Sequence, residues 1–303
     1  MNIINSLSEF HRLLSVPPPL HPLVSVVHVS EIHAINSDVW KKFTTDFYSI
    51  SLKNNIQSKI KYGQNYYDFD RGTMVFTAPK QVQSVEVETA NTFNETSGAG
   101  YVLLFHPDFL VKHPLSVSIK EYSFFSYSVN EALHLSEKEE KNVIDIFKKI
   151  DEEYQHIDNH TQSVILAQID LLLQYSNRFY KRQFITRKAV NIDLLTRTEG
   201  LISEYFNTGM GLKKGVLTVD SLANQLNLSA NYLSDALRSL TGQSAQQHIH
   251  EKLIEKAKEY LTVSNLSVSE IAYNLGFERP QSFNKLFKAK TNQSPLTYRA
   301  SFN

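Results

Sequence analysis

Residues 271–299 run IAYNLGFERPQSFNKLFKAKTNQSPLTYR. Apolar positions spaced three or four apart stand on both sides of a break at Gly276, first Ile271 and Leu275, then Phe283, Leu286 and Phe287. This is the pattern of a short one-faced helix, a tight turn and a second one-faced helix. Upstream, residues 222–249 run LANQLNLSANYLSDALRSLTGQSAQQHI and repeat it. Leu222-Ala223 answers Ile271-Ala272. Leu226, Leu228, Leu233 and Leu237 answer Leu275, Phe277, Phe283 and Phe287, and Ser244-Ala245 answers Ser294-Pro295. The offset is 49 at the start (222 to 271) and 50 at the end (237 to 287), so the second turn is one residue longer.

Each unit therefore predicts a helix-turn-helix, the arrangement in which the second helix enters the major groove of DNA. Ser229 is placed to cap the second helix of the first unit and Gly242 to end it, while Gly276 supplies the turn of the second unit. A helix over about 245–262 connects the two. Its length of roughly 27 Å compares with roughly 34 Å between successive major-groove faces on one side of B-DNA. Two reading helices on such a connector can occupy adjacent groove segments.

The motifs also carry a resemblance. Leu222-Ala223, Leu228-Ser229, Tyr232-Leu233, Thr241-Gly242, Ala257, Tyr260-Leu261, Ile271-Ala272, Gly276-Phe277, Phe283, Phe287-Lys288, Ser294-Pro295 and Tyr298-Arg299 resemble the AraC/XylS family of bacterial regulators. The likeness covers about 198–302. Departures are Lys252 for a usual arginine, Asn292 for a glycine, and Asn284-Lys285 for a usual Ser-Arg. Asn tolerates left-handed backbone, so Asn292 can end a helix as glycine does.

With the apolar residues facing the domain core, the side chains left outward on the first reading helix are Asn231, Ser234, Asp235 and Arg238. On the second they are Arg279, Gln281, Ser282, Asn284 and Lys285. By the resemblance these cover the base-facing positions. Asn and Gln pair with adenine, Lys and Arg with guanine, and Asp accepts from the cytosine amino group. Lys288, Lys290 and Arg299 read as phosphate contacts, which set position and salt dependence rather than sequence. The first reading face is weakly basic, so the second is expected to supply more of the affinity.

Charge alone would not have pointed to DNA. The chain has 31 Lys/Arg and 31 Asp/Glu, although the last 108 residues (196–303) carry twelve against nine. There is no cysteine, which excludes disulfides and thiolate chemistry. Neither a membrane span nor a signal peptide is legible, and a cytoplasmic location is expected.

The fold class expected is α+β in two domains, a cupin-like β-sandwich or barrel with a helical hairpin, then an all-α domain with two helix-turn-helix units. The first domain spans 1–186, with strands over about 23–128 and helices over about 136–184; 187–197 is the linker and 198–303 the DNA-binding domain. Strands follow from short alternating runs such as Met74 to Thr77, Val82 to Val87 and Tyr101 to Phe105, punctuated by turn residues such as Asp70-Arg71-Gly72. Helices follow from a capping box at Ser136 and Glu139, and from Val143, Phe147, Ile150, Tyr154 and Ile157 on one face.

The cupin-like reading of the first domain comes from the family resemblance and implies a small-molecule sensor of unassigned ligand. A subset of the family is resembled more closely through Phe69-Asp70, His106-Pro107-Asp108-Phe109-Leu110 and Phe124-Phe125-Ser126-Tyr127. Two alternatives stand beside it: a domain that only dimerises, and a cupin enzyme with a DNA-binding tail. The enzyme reading is weakened because His28, His33, His106 and His113 do not form a ligand cluster by spacing, so no metal, cofactor or catalytic residue is expected. Expected partners are double-stranded DNA, a small-molecule effector and a second copy of the chain meeting at the helical hairpin. RNA polymerase is a further candidate partner.

Overall fold

Alternating residues build the central sheet of the N-terminal region. The computed structural model describes residues 2–32, 37–53, 60–62, 65–67, 72–84, 100–128, 131–186 and 188–302. The chain divides into two units, Met1–Gln183 and Phe184–Asn303.

In the first unit β1 (Asn2–Ile4) pairs in parallel with β3 (Phe43–Thr45), and β5 (Ile60–Tyr62) forms a hairpin with β6 (Asn65–Tyr67). The main sheet is antiparallel, in the order β2 (Val24–His28), β8 (Gly100–Phe105), β4 (Tyr48–Lys53), β7 (Thr73–Thr77), β9 (Leu133–His134). In strands successive side chains face opposite ways. One face therefore presents Val26, Leu103, Ile50 and Phe76, all nearly or fully buried. That face is covered by α4 (Glu137–Gln155) and α5 (Thr161–Thr186): Tyr101 stacks on Phe147, and Phe76 meets Tyr180. On the other face Val27, Val102 and Leu104 join a cluster with α1 (Leu7–Leu14), where Phe10 makes edge contacts with Phe47 and with Trp40 of α2 (Ser37–Trp40).

The expected strands reach only to Phe105. Residues 107–126 form 3-10 turns and the short helix α3 (Leu115–Ser118) instead. Pro107 and Pro114 lack the N–H that a ladder needs. Phe109, Leu110, Leu115, Ile119 and Phe124 are all buried at helical rather than alternating spacing. Of the expected run Val82 to Val87, only a bridge from Gln83 to Phe43 lies in described residues. Arg71 and His33 lie outside them. The capping box at Ser136 is formed, the Glu139 carboxylate accepting the Ser136 N–H at 2.8 Å.

Histidines in this unit serve the structure. His28 Nε2 meets Asp151 Oδ2 at 2.9 Å, tying β2 to α4, and His106 and His113 each accept a backbone N–H two residues on. His11, 4% exposed, contacts the Pro17 carbonyl through Nδ1 and Ser25 Oγ through Nε2 at 2.8 Å. Tyr154 O–H donates to Ser25 and accepts from Leu20 N–H. Burial lowers the His11 pKa, against the opposing pull of the Pro17 carbonyl and the Glu31 charge. Its neutral ring thus belongs to the fold. Because the folded value is lowered, this stability is complete above the ordinary value of 6.5 and is lost as pH falls from there toward the folded value. The expected result is an NMR titration midpoint for His11 below 6.5, with the first unit melting earlier at pH 5.5 than at 7.5. A midpoint at or above the ordinary value contradicts this assignment.

The second unit is all helical. The segment 187–197, read as a linker, is helical from Lys188, in α6 (Lys188–Asn207). Leu194, Thr198, Ile202 and Tyr205 are buried along one stripe of it. After α7 (Gly211–Lys214) come α8 (Val219–Gln225) and α9 (Ala230–Thr241), the connector α10 (Ala245–Val263), α11 (Val268–Asn274), α12 (Pro280–Thr291) and α13 (Pro295–Ala300). Leu222, Leu233, Leu237, Ile249, Leu253, Ile271, Phe283 and Phe287 are fully buried and form its core. Among the described residues no helix is long and apolar enough to cross a membrane.

Candidate nucleic-acid interface

Two helix pairs, α8–α9 and α11–α12, stand on either side of the 19-residue α10. Each turn has one left-handed residue at its second position, Asn227 (φ 56°) after α8 and Gly276 (φ 95°) after α11. The inserted residue falls between Gly276 and Pro280, so the turns are 226–229 and 275–279. Ser229 accepts the Tyr232 N–H at 3.2 Å to start α9. On α12 Pro280 takes the first helical position, where no N–H is needed. The two helices end alike. Thr241 and Thr291 donate back to the carbonyls of Leu237 (2.9 Å) and Phe287 (2.8 Å). Gly242 (φ 79°) and Asn292 (φ 61°) then turn the chain in left-handed conformation.

Burial of Leu233, Ala236 and Leu237 on α9, and of Phe283 and Phe287 on α12, leaves equivalent outward stripes. At 100° per residue Asn231, Ser234, Asp235 and Arg238 share one face, and Gln281, Asn284, Lys285 and Lys288, each 50 residues on, share its counterpart. Asn231 and Arg238 are exposed, and Ser234 and Asp235 half-buried. On α12 the four stripe residues, with Arg279 and Ser282, are all exposed. The charges differ between the stripes. Arg238 Nη1 lies 2.6 Å from Asp235 Oδ1, which neutralises the first. Lys285 and Lys288 enter no ion pair among the described residues, so the second carries two positive charges.

Two of the expected phosphate contacts sit elsewhere. Lys290 is exposed but about half a turn from the Gln281–Lys288 stripe, toward α10. His250 there has its pKa lowered by burial first and by the Lys290 charge second. Arg299 is half-buried and donates from Nε to the Leu261 carbonyl (3.2 Å) and from Nη2 to the Leu266 carbonyl (2.7 Å). Its guanidinium holds the end of α10 and the following loop against α13. In the first unit the equivalent position is Ile249, fully buried on α10. Sequence pattern missed this role, because both acceptors are backbone groups 38 and 33 residues away. The slope of log affinity against log salt is expected to be unchanged in Arg299→Gln, and to fall by about 0.9 in Lys288→Gln if one phosphate contact is lost. A fall in the Arg299 variant equal to that of Lys288 would return Arg299 to the phosphates.

Residues 222–301 match a family model described as a helix-turn-helix domain. With its motifs, this match decides the domain. Residues 222–301 are a helix-turn-helix domain of the AraC/XylS type. The raffinose operon transcriptional regulatory protein RafR of Pediococcus pentosaceus is 29% identical over 160 residues, 52% of this chain and 55% of that protein. The HTH-type transcriptional activator RhaS of Escherichia coli O157:H7 is 35% identical over 80 residues, 26% of this chain and 29% of that one. The chain thus spans about half, and under a third, of these curated relatives. Among solved structures, the C-terminal domain of the response regulator yesN of Fusobacterium nucleatum is 31% identical, with 33% of this chain and 95% of that one aligned, at a TM-score of 0.30. The family domain is the C-terminal helical one. The N-terminal region is a sheet with helices.

Proposed function

We propose that this chain, with its AraC/XylS-type domain, is a sequence-specific DNA-binding transcription regulator and not an enzyme, acting in the cytoplasm on double-stranded DNA. The observation that carries the reading is the repeated outward stripe, 231/234/235/238 and 281/284/285/288, on two helices held by one connector. Gln281, Asn284 and Lys285 on α12 read base edges, as do Asn231, Ser234, Asp235 and Arg238 on α9; Arg279, Ser282 and Lys288 flank them. The connector is roughly 28 Å long, which suits adjacent major-groove segments on one side of the duplex.

The N-terminal region is proposed as a cupin-like domain that binds a small-molecule effector and dimerises the chain. One relative is named as the regulatory protein of a raffinose operon, which supports a regulator answering a small molecule. For dimerisation the support is α5, where Val164 and Leu171, seven residues apart on one face, are 38% and 42% exposed. RNA polymerase is the further partner a regulator would meet.

Selection from random duplex DNA by the full chain tests the reading. Enrichment of two contact blocks about one helical turn apart is expected, and folded protein that enriches no sequence overturns it. On the enriched site, Lys285→Ala and Gln281→Ala are each expected to lower specific affinity by about 1–3 kcal/mol. Non-specific binding should fall far less. Equal losses on both kinds of duplex contradict base reading.

A further inference from the structure

Equivalent positions on the two reading helices carry opposite charge patterns. Asp235 and Arg238 on α9 correspond, 50 residues on, to Lys285 and Lys288 on α12. Where α12 presents two lysines, α9 presents an acid and a base three residues apart, joined from Arg238 Nη1 to Asp235 Oδ1 at 2.6 Å. The Asp235 side chain is 21% exposed and that of Arg238 54%. The carboxylate is thus the more enclosed of the two, and the guanidinium the more open to an incoming duplex.

An exposed pair of this kind adds little to the stability of a helix. Its effect on recognition is larger. A free arginine samples many rotamers and gives up that freedom when it meets a base. Held by Asp235, Arg238 gives up less. Its bond to the carboxylate engages Nη1 only. Among the described residues Nε and Nη2 have no partner, and together they form the edge of a planar fork that fits O6 and N7 of a guanine. The lysines of α12 have no such fork. The carboxylate also cancels the arginine charge on its stripe and repels phosphates. The α9 stripe is thereby suited to discriminate between bases without adding general affinity, and α12 to attract any duplex.

We propose that Asp235 is a positioning residue that holds Arg238 for one guanine in the major groove, and that this pair sets the sequence preference of the first contact block. The proposal rests on the regulator reading above, and within that reading face Asp235 takes its part through Arg238.

The test uses the full-length chain and the duplex it enriches, with each base pair of both contact blocks substituted in turn. In the wild type one G·C pair of one block should be required, its replacement by A·T costing about tenfold or more in affinity. Arg238→Lys keeps the charge but not the fork, and should cut that penalty to about threefold or less at the same position. Asp235→Asn should cut it likewise while raising affinity for an unrelated duplex by about threefold or more. The released arginine then reaches a phosphate, and the salt slope should steepen by up to about 0.9. A damaged helix would lose both kinds of affinity, so changes of opposite sign are the mark of positioning. Asp235→Glu restores a carboxylate and should recover the G·C penalty. An Asp235→Asn variant that keeps the full penalty, or that loses specific and non-specific affinity together, overturns the proposal. So does a preference lost in Asp235→Asn but kept in Arg238→Lys, which would make Asp235 itself the reader. Folded wild type that enriches no duplex overturns the regulator reading and this proposal with it. An enriched site with no G·C pair tied to Arg238 removes this proposal alone.

Discussion

Gly276→Ala is expected to destabilise the second unit by about 2–5 kcal/mol, combining about 1–2 for left-handed backbone with about 1–3 for overpacking. Gly276 has φ 95°, and a Cβ there would fall inside van der Waals contact of the Gly215 carbonyl, with Val216 N close by. The segment entering the first helix pair rests, backbone against backbone, on the turn of the second. Gly211 lies in the same seam, its Cβ position 2.5 Å from the Asn274 carbonyl. A side chain at 276 must therefore part these segments as well as strain its own backbone. The control is Gly242→Ala, where φ is 79° but nothing lies within 4 Å of the added carbon. Only the backbone cost of about 1–2 kcal/mol applies there. Urea unfolding followed by far-UV circular dichroism, with amide exchange assigning the loss to 184–303, measures both. Equal effects at 242 and 276 would show that the seam contributes nothing.

Phe287→Ala is expected to cost about 3–5 kcal/mol and to abolish specific binding by the second helix pair. Phe287 is fully buried, with ring centroids 5.7 Å from Phe283 and 5.5 Å, edge-on, from Tyr298. It is held on one side by its own helix and on the other by α13, and α13 is pinned in turn by Arg299. A small helical core has little freedom to close the space left by a lost ring, so the cavity cost adds to the lost transfer energy. The outward stripe of α12 depends on the ring for its orientation. An unchanged urea midpoint would mean that the faces of α12 are wrongly assigned.

The helix-turn-helix pairs were legible because their signals are local. Apolar residues three or four apart, Ser229 before α9, and Gly242 and Asn292 after the reading helices all act within one or two turns. The outward stripes follow once the buried face is known. Less of the first unit was legible. The stretch 107–126 falls inside the expected strand region of about 23–128, yet its prolines and helical spacing make it turns and a short helix. The expected linker cut through the buried stripe of α6, whose Leu194, Thr198, Ile202 and Tyr205 continue past the boundary.

By itself, then, the sequence determined the repeat, the two helix pairs, the turn at Gly276, the helix ends at Gly242 and Asn292 and the resemblance of this domain to the AraC/XylS family, since these depend on neighbours within a few residues along the chain. Tertiary structure alone decided three other matters. Arg299 serves backbone carbonyls more than thirty residues away. Asn suffices at 227, whereas 276 needs glycine because Gly215 packs on it. Register in the sheet brings Ser49 opposite Thr77 and Lys53 opposite Thr73. Each depends on which distant backbone arrives alongside, and hydrophobic periodicity carries no record of that.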